Sequence, residues 1–266
     1  MSDFRDFEVA GWSEAGRAER YDTLVARVTA RVAEPLLDAT GVRGGARVLD
    51  VACGPGALVA AAASRDADPV GVDISPDMVA FARSRHPNLR FEVADAEALP
   101  FADGSFDVAV AAFLLHHVPD AQRVVGELAR VGRRVAVAQW DTFDRARLLG
   151  VLSEAIREAG AVSHGPTGPS RELFASEELL EGLFRTAGLE DVRVETLAFT
   201  HRIEDADAVW NGVLAGSVNT AATINAQDEP VRRQIRERFD QLVAEYERDG
   251  AIELPVSVKI ASGARR

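Results

Sequence analysis

The sequence holds a single cysteine, Cys53, and a lone thiol cannot close an internal disulfide. No Cys or His stands at metal-ligand spacing from it, so no metal is expected, and a reducing intracellular setting fits the chain best. Long apolar runs are also missing. None approaches the roughly 18 to 20 residues that span a bilayer, and the acidic start MSDFRDFE is the reverse of the basic opening of a secretory signal. A cytoplasmic location and no membrane partner are expected. Basic charge is scarce, with 30 Lys and Arg against 42 Asp and Glu and a net charge of -12. Such a surface repels phosphate backbones, so nucleic acid is not an expected partner. The densest basic group, Arg232, Arg233, Arg236 and Arg238, is interleaved with Glu229, Glu237 and Asp240 in the manner of a solvated helix face.

Several catalytic signatures are absent as well. There is no Gly-x-Ser-x-Gly elbow of a hydrolase, and neither Tyr21 nor Tyr246 has a lysine four positions on, as a Tyr-x-x-x-Lys proton donor would require. The histidines are scattered apart from His116 and His117, and adjacent side chains that point in different directions make a poor chelating pair. No internal repeat or low-complexity segment is visible, and nothing in the sequence fixes an oligomeric state.

What is present is an alternation of strand and helix. Between residues 46 and 140 the runs ARVLDV, DPVGVD, LRFEVA, FDVAVAAF and RRVAVAQW are continuously apolar, which implies strands covered on both faces. Helical stretches separate them. Ser75 before Pro76, and Asp120, are suited to cap two of these helices. The pattern predicts an α/β fold with a doubly wound, mostly parallel sheet. Helices are expected over 145–159 and 176–187, around the Gly- and Pro-rich loop SHGPTGPSREL, and strands near 192–200 and 254–260, the last antiparallel. Some fifty residues separate those two strands, far beyond a hairpin of about two to five. They read as helices over 206–218 and 230–248. The first forty residues are also helical, with an apolar stripe at Leu24, Val28, Val32 and Leu36 or Leu37. The expected organisation is therefore an N-terminal helical lid (1–42), a ligand-binding sheet core (43–202), a helical cap insertion (203–252) and a final core strand (253–266).

The segment VLDVACGPG at residues 48–56 sets a strand against a turn with Gly54 and Gly56, followed by an Ala-rich helix. Small residues admit a ligand to the backbone, and a helix N-terminus offers free N–H groups to negative charge. Asp73 ends the next strand, near the spacing of about 20 residues at which an acid can hold both ribose hydroxyls. Asp95 ends the third strand, where it could also cap a short helix over 96–99. All these loops lie at the carboxyl ends of parallel strands, where open α/β sheets bind ligands.

These residues resemble those of the class I S-adenosylmethionine (SAM)-dependent methyltransferases, and within them the small-molecule type 11 group, similar to the ubiquinone and menaquinone biosynthesis enzymes. The resemblance is strong over about residues 47–140. It implies a Rossmann-like sheet and SAM as cofactor, with Asp50 near the methionine end, Asp73 on the ribose, Asp95 on the adenine amino group, the backbone of Ala96 facing the ring, and Ile74 and Met78 flanking it. Ala52, Phe113 and Tyr21 are also expected to line the cofactor site. Two departures stand out: Ala52 replaces the first glycine of the family's loop, and Val59 occupies the third-glycine position of the dinucleotide pattern. Cys53 reads as a packing residue. His117, and next His116, follow the fourth strand and are the expected general bases; Trp12, Trp210 and Asn211 are the expected acceptor contacts. The expected activity is methyl transfer to an oxygen, nitrogen or carbon of a small molecule. A SAM-binding relative without methyl transfer, such as a cyclase or regulator, and a NAD-dependent oxidoreductase are the alternatives, since fold alone does not choose among them.

Overall fold

The computed structural model describes residues 2–163 and 165–266; Met1, the first residue of the expected lid, and His164, in the Gly- and Pro-rich loop, lie outside them. Eight strands form the sheet: β1 (Arg47–Val51), β2 (Asp68–Asp73), β3 (Arg90–Val93), β4 (Phe106–Ala112), β5 (Gly132–Trp140), β6 (Glu190–Ile203), β7 (Glu247–Arg248) and β8 (Ala251–Ala264). Their order is β3-β2-β1-β4-β5-β8-β6, with β7 pairing to β8. The first five strands are parallel, and β8 runs antiparallel to both β5 and β6. The chain is thus the doubly wound α/β sheet that its apolar runs predicted.

Both faces of the sheet are covered, and the period-2 alternation of strand side chains divides the core accordingly. Val48, Val110 and Ala136 point into one apolar cluster with Leu36, Leu148 and Leu152. Their neighbours Leu49, Ala109 and Val137 point into the other, with Leu128 and Phe184. The helices that supply those partners are α4 (Ala33–Ala39), α5 (Ala57–Ser64), α6 (Pro76–Arg85), α7 (Ala121–Val131), α8 (Arg147–Glu158) and α9 (Glu177–Thr186). Val59 is fully buried against Val79 and Phe91, so the position of the missing third glycine is a packing site.

Three boundaries differ from the sequence reading, each for a local reason. The strands β6 and β8 are 14 residues each and stay in register from Arg193 opposite Ser262 to Ile203 opposite Ile252. The shorter expectation missed the ends of β6 because an edge strand tolerates charges such as Glu190 and Arg202 that elsewhere signal a loop. The insertion has α10 (Ala206–Ala215), α11 (Val218–Asn225) and α12 (Glu229–Ala244) in place of two helices. Ser217 and Asp228 restart it as N-caps, their side chains accepting from Thr220 N at 3.2 Å and Val231 N at 3.0 Å. The helix expected to reach residue 248 stops earlier, because Asp249 and Gly250 both take positive φ, 48° and 71°, and turn β7 into β8.

The N-terminal forty residues are helical as predicted but broken into α1 (Ser2–Trp12), α2 (Arg17–Thr23), α3 (Val25–Thr29) and α4. Gly16, at φ 75°, and Leu24 interrupt them. The stripe Leu24, Val28, Val32, Leu36 and Leu37 is buried throughout. These helices meet the insertion through glycines: a Cβ at Gly11 would lie 2.2 Å from Val218, one at Gly212 2.4 Å from Leu24, and one at Gly216 2.6 Å from Val25. Among the described residues, no helix is long and apolar enough to cross a membrane.

Candidate active site

The carboxyl ends of β1, β2, β3 and β4 open into a cavity of about 1060 Å³, part of it continuous with solvent. Its floor is built from the backbone upward. Ala52 follows β1 at φ 59° and Phe113 follows β4 at φ 59°. Side-chain-bearing residues in this conformation cost roughly 1 to 3 kcal/mol each and concentrate where the chain is bent around a ligand. Ala52 therefore adopts the geometry of the glycine it replaces and lines the cavity. Phe113 is steadied by Trp140, with ring centroids 4.3 Å apart.

Asp73 organises the next layer. Its Oδ2 accepts from Gly54 N and its Oδ1 from Ser75 N, both at 3.0 Å. Burial pushes its pKa up, and those N–H groups pull it back. Each carboxylate oxygen retains a lone pair for a hydroxyl donor. Ile74, Met78 and Ala96 line the cavity beside it. Asp50 is only 2% exposed and faces an adjoining cleft that shares Tyr21, Ala52 and Gly54 with the main cavity. Desolvation, then the charge of Asp73, raises its pKa well above the carboxylate range. A buried acid of this kind is relieved by a cation. A Cβ at Gly54 would make only an ordinary contact, with Tyr21 Cε1 at 3.8 Å, so the loop is not closed off on this side. Gly56 lines neither space; it sits at φ 88° at the start of α5, where a Cβ would strike Phe91 at 2.7 Å. Its role is the turn rather than ligand contact. Cys53 is buried, its thiol pKa pushed up by desolvation, and its N donates to Val72 O at 2.9 Å, in keeping with packing.

The roof is one face of α1. Arg5, Glu8, Val9 and Trp12 recur at the spacing of a helical stripe and all line the cavity. Arg5 pairs with Asp95, whose Oδ1 also accepts from Glu97 N at 2.9 Å in a turn without a helix over 96–99. Ser75 caps α6 by accepting from Met78 N at 3.2 Å and donates its Oγ to Trp12 O at 3.1 Å, tying α1 to the floor. Ser75→Ala is expected to cost about 0.5 to 2 kcal/mol, a fall of a few degrees in Tm by calorimetry; an unchanged Tm would show that both bonds are replaced by solvent.

Behind the roof lies a second cavity that shares Glu8, His116, His117 and Arg171 with the first. Glu8 is 6% exposed; its Oε2 meets His117 Nδ1 at 2.8 Å and accepts from Trp12 Nε1 at 3.1 Å. Trp12 also packs edge-on to Tyr21 and to His117, each with centroids 5.4 Å apart. His116 is buried, its Nδ1 3.1 Å from Gln139 Oε1, and desolvation holds its pKa well below the usual range. With Gln139 Oε1 as acceptor, Nδ1 carries the proton and Nε2 is left as an acceptor. The adjacent histidines do not diverge as expected: they occupy a 3-10 turn, Leu115–His117, and their rings lie 4.1 Å apart. Among the described residues no cluster of His, Cys, Asp or Glu suited to a metal ion is found.

Two expected acceptor contacts are corrected. Trp210 packs edge-on to Phe239 of α12, with centroids 5.1 Å apart and Arg236 over its face, and Asn211 is exposed; neither lines these cavities. Helix α10 turns Gly212 and Gly216 toward α2 and α3, which sends Trp210 and Asn211 to other faces. Glu8, Arg5, Gln139 and Arg171 were missed. For Glu8 and Arg5 the signal was the α1 stripe itself; Gln139 and Arg171 come from distant segments and carry no local pattern.

A parallel sheet with its acids at successive strand ends, a positive-φ loop after β1 and a helical roof defines a Rossmann-like methyltransferase. The family model described as "Methyltransferase domain" matches residues 48–134. The chain is 33% identical over 165 residues to the demethylmenaquinone methyltransferase of Renibacterium salmoninarum, covering 59% of this chain and 69% of that one. It is 45% identical over 109 residues to the enzyme of the same name from Beutenbergia cavernae, a match that spans 40% of this chain and only 45% of the relative. The chain belongs to the class I SAM-dependent methyltransferase family. In fold it is similar to the YcgJ protein of Bacillus subtilis, with a TM-score of 0.59 at 20% identity over 89% of this chain and 98% of that one. It is also similar to phosphoethanolamine N-methyltransferase 2 of Haemonchus contortus, solved with SAM, with a TM-score of 0.51 at 16% identity over 88% and 52%. The site fits SAM: paired-oxygen Asp73 suits a ribose diol, buried Asp50 a cationic methionine end, and the open flank of Gly54 a closely approaching ligand.

Proposed function

We propose that this protein transfers a methyl group from SAM to a small-molecule nucleophile, with the acceptor held in the second cavity. The observation that carries the reading is the shared wall: Glu8, His116 and His117 stand between the cofactor-side cavity and its neighbour. The relatives named for demethylmenaquinone support a small acceptor. The bound sulfonium supplies an already activated leaving group. What remains for the chain is alignment, water exclusion and removal of a proton.

Asp73 and Asp50 orient the cofactor, Ile74 and Met78 flank its base, and Asp95 meets the adenine amino group in exchange for Arg5. His117 is the general base, with His116 second. Held by these residues, SAM would supply the methyl group with its sulfur as leaving group, and His117 would take the proton that the acceptor gives up. Glu8 holds the imidazole tautomer and stabilises the imidazolium, the role a carboxylate plays behind a catalytic histidine. Mass spectrometry of the purified protein for SAM or S-adenosylhomocysteine (SAH), then calorimetry with SAH and an acceptor screen for SAH release, tests this. Failure to bind either cofactor form would overturn it; binding without turnover on any acceptor would favour the non-transferring alternative.

The lid reading follows from the same roof. Residues 2–42 and the insertion interlock through Gly11, Gly212 and Gly216, and α1 spans the cavity. Hydrogen exchange should slow in α1, α2, α10 and α11 on addition of SAH. Identical exchange with and without SAH would leave these helices as fixed packing.

A further inference from the structure

We infer that the acceptor is a small carboxylic acid, its carboxylate held by Arg171 and its methylated hydroxyl or amine presented to His117. The inference rests on the proposed methyl transfer and adds the substrate class. Arg171 begins the 3-10 turn Arg171–Ala175 and lines both cavities. Among the described residues its one hydrogen bond is from Nη2 to Ser217 Oγ, at 2.7 Å, and no carboxylate lies within ion-pair distance. Other arginines, Arg83 and Arg134 among them, also lack a carboxylate and bond only to backbone carbonyls, but Arg171 is the one of these that lines both cavities. Arg147 holds Glu154 at 2.9 Å, and Arg130 holds both Glu127 and Asp103, at 2.7 and 2.9 Å.

Glu8 is near enough to act on Arg171 through its charge, but it forms no ion pair with the guanidinium, and its Oε2 is shared between His117 and Trp12. Burial lowers the pKa of Arg171, so the site penalises a bare guanidinium and would be relieved by an anion. A planar fork of donors matches a carboxylate in two parallel hydrogen bonds. A second polar atom in the same chamber also lacks a partner: Asn219 Oδ1, on α11, is buried without a hydrogen bond and lines the second cavity. It calls for a donor, as an amino or hydroxy acid provides and a hydrocarbon does not. Arg171 and His117 border the same two spaces, so one small molecule can meet both.

The test uses the whole protein saturated with SAH, after calorimetry has shown that SAH binds. A library of small aliphatic and aromatic hydroxy and amino acids, each paired with its primary amide, is screened by saturation-transfer NMR, and binders are titrated. The acids should bind about tenfold or more tightly than their amides, the scale of a charge-assisted bond of about 1.5 kcal/mol or more. Arg171→Gln should abolish the preference with SAH affinity intact. Arg171→Lys should restore part of it, a readout that does not depend on the stability of the glutamine variant. Equal binding of acids and amides, absence of any acid binder, or an acid preference that survives Arg171→Gln overturns the inference. Loss of SAH binding in the parent protein would instead overturn methyl transfer itself.

Discussion

Replacing His117 by alanine is expected to lower turnover about 10²- to 10⁴-fold at saturating SAM, the range for a general base, with cofactor affinity nearly unchanged. The expectation follows from the Glu8–His117 contact of 2.8 Å at the wall between the two cavities. A carboxylate on Nδ1 leaves Nε2 free to take a proton. Glu8→Gln should lose rate in the same direction while keeping the fold, since Gln preserves shape and removes the charge that stabilises the imidazolium. His116→Ala should cost less. Its imidazole is held neutral by burial, a poorer proton acceptor, and its Nδ1 is engaged by Gln139.

The His116 pKa is depressed in the folded protein, so its contribution to stability is present above the ordinary histidine value of about 6.5 and fades as pH falls through the folded value. Acid loss of activity must therefore be separated from acid loss of structure, by circular dichroism at each pH from the ordinary histidine value of about 6.5 downward. Near-normal rates in both His117→Ala and His116→Ala would leave alignment alone as the source of catalysis.

The parts of this molecule that sequence reveals are those in which function and local pattern coincide. Asp50, Asp73 and Asp95 end apolar runs, so the strand pattern that predicts the sheet also puts them at its ligand-binding edge. Gly54 and Ala52 are in the same loop and come with it. The acceptor side obeys no such coincidence. Trp210 drew attention because a large aromatic in an insertion invites a ligand, yet on an amphipathic helix only the phase of the face decides, and that phase was set by the glycines at 212 and 216. Arg171 opens a short 3-10 turn just after a stretch rich in Gly and Pro, a setting with no periodic pattern, and its lack of a carboxylate partner is a fact of three dimensions. Glu8 sits between these cases. Its stripe with Arg5, Val9 and Trp12 is periodic, but a mixed polar and apolar face reads as surface until a cavity is found beneath it.

Asp73→Ala is expected to weaken SAM binding by about 1.5 to 3 kcal/mol, roughly 10- to 150-fold in Kd, the loss that follows removal of hydrogen bonds to a charged group. The same change strips the partner from Gly54 N and Ser75 N, so part of the loss could arise from a loosened loop. The Tm of the ligand-free Asp73→Ala protein separates the two, because a loosened loop lowers it and a lost ribose contact does not. Titration gives a second handle. Burial raises the pKa of Asp73, and raises that of Asp50 well above its ordinary value, with Asp73 adding repulsion. Raised folded-state pKa values mean that folding favours the protonated acids: this contribution to stability is whole below about pH 3.9, the ordinary carboxylate value, and is lost as pH rises through the folded values. Binding runs the opposite way, because a ribose diol and a cationic methionine end both prefer ionised carboxylates. Calorimetry with SAH should therefore show affinity rising, and the ligand-free protein losing some stability, as pH rises above the ordinary carboxylate value through the folded values, and Asp73→Ala should flatten the rise in affinity. An affinity unchanged by the substitution across that rise would remove Asp73 from the ribose site.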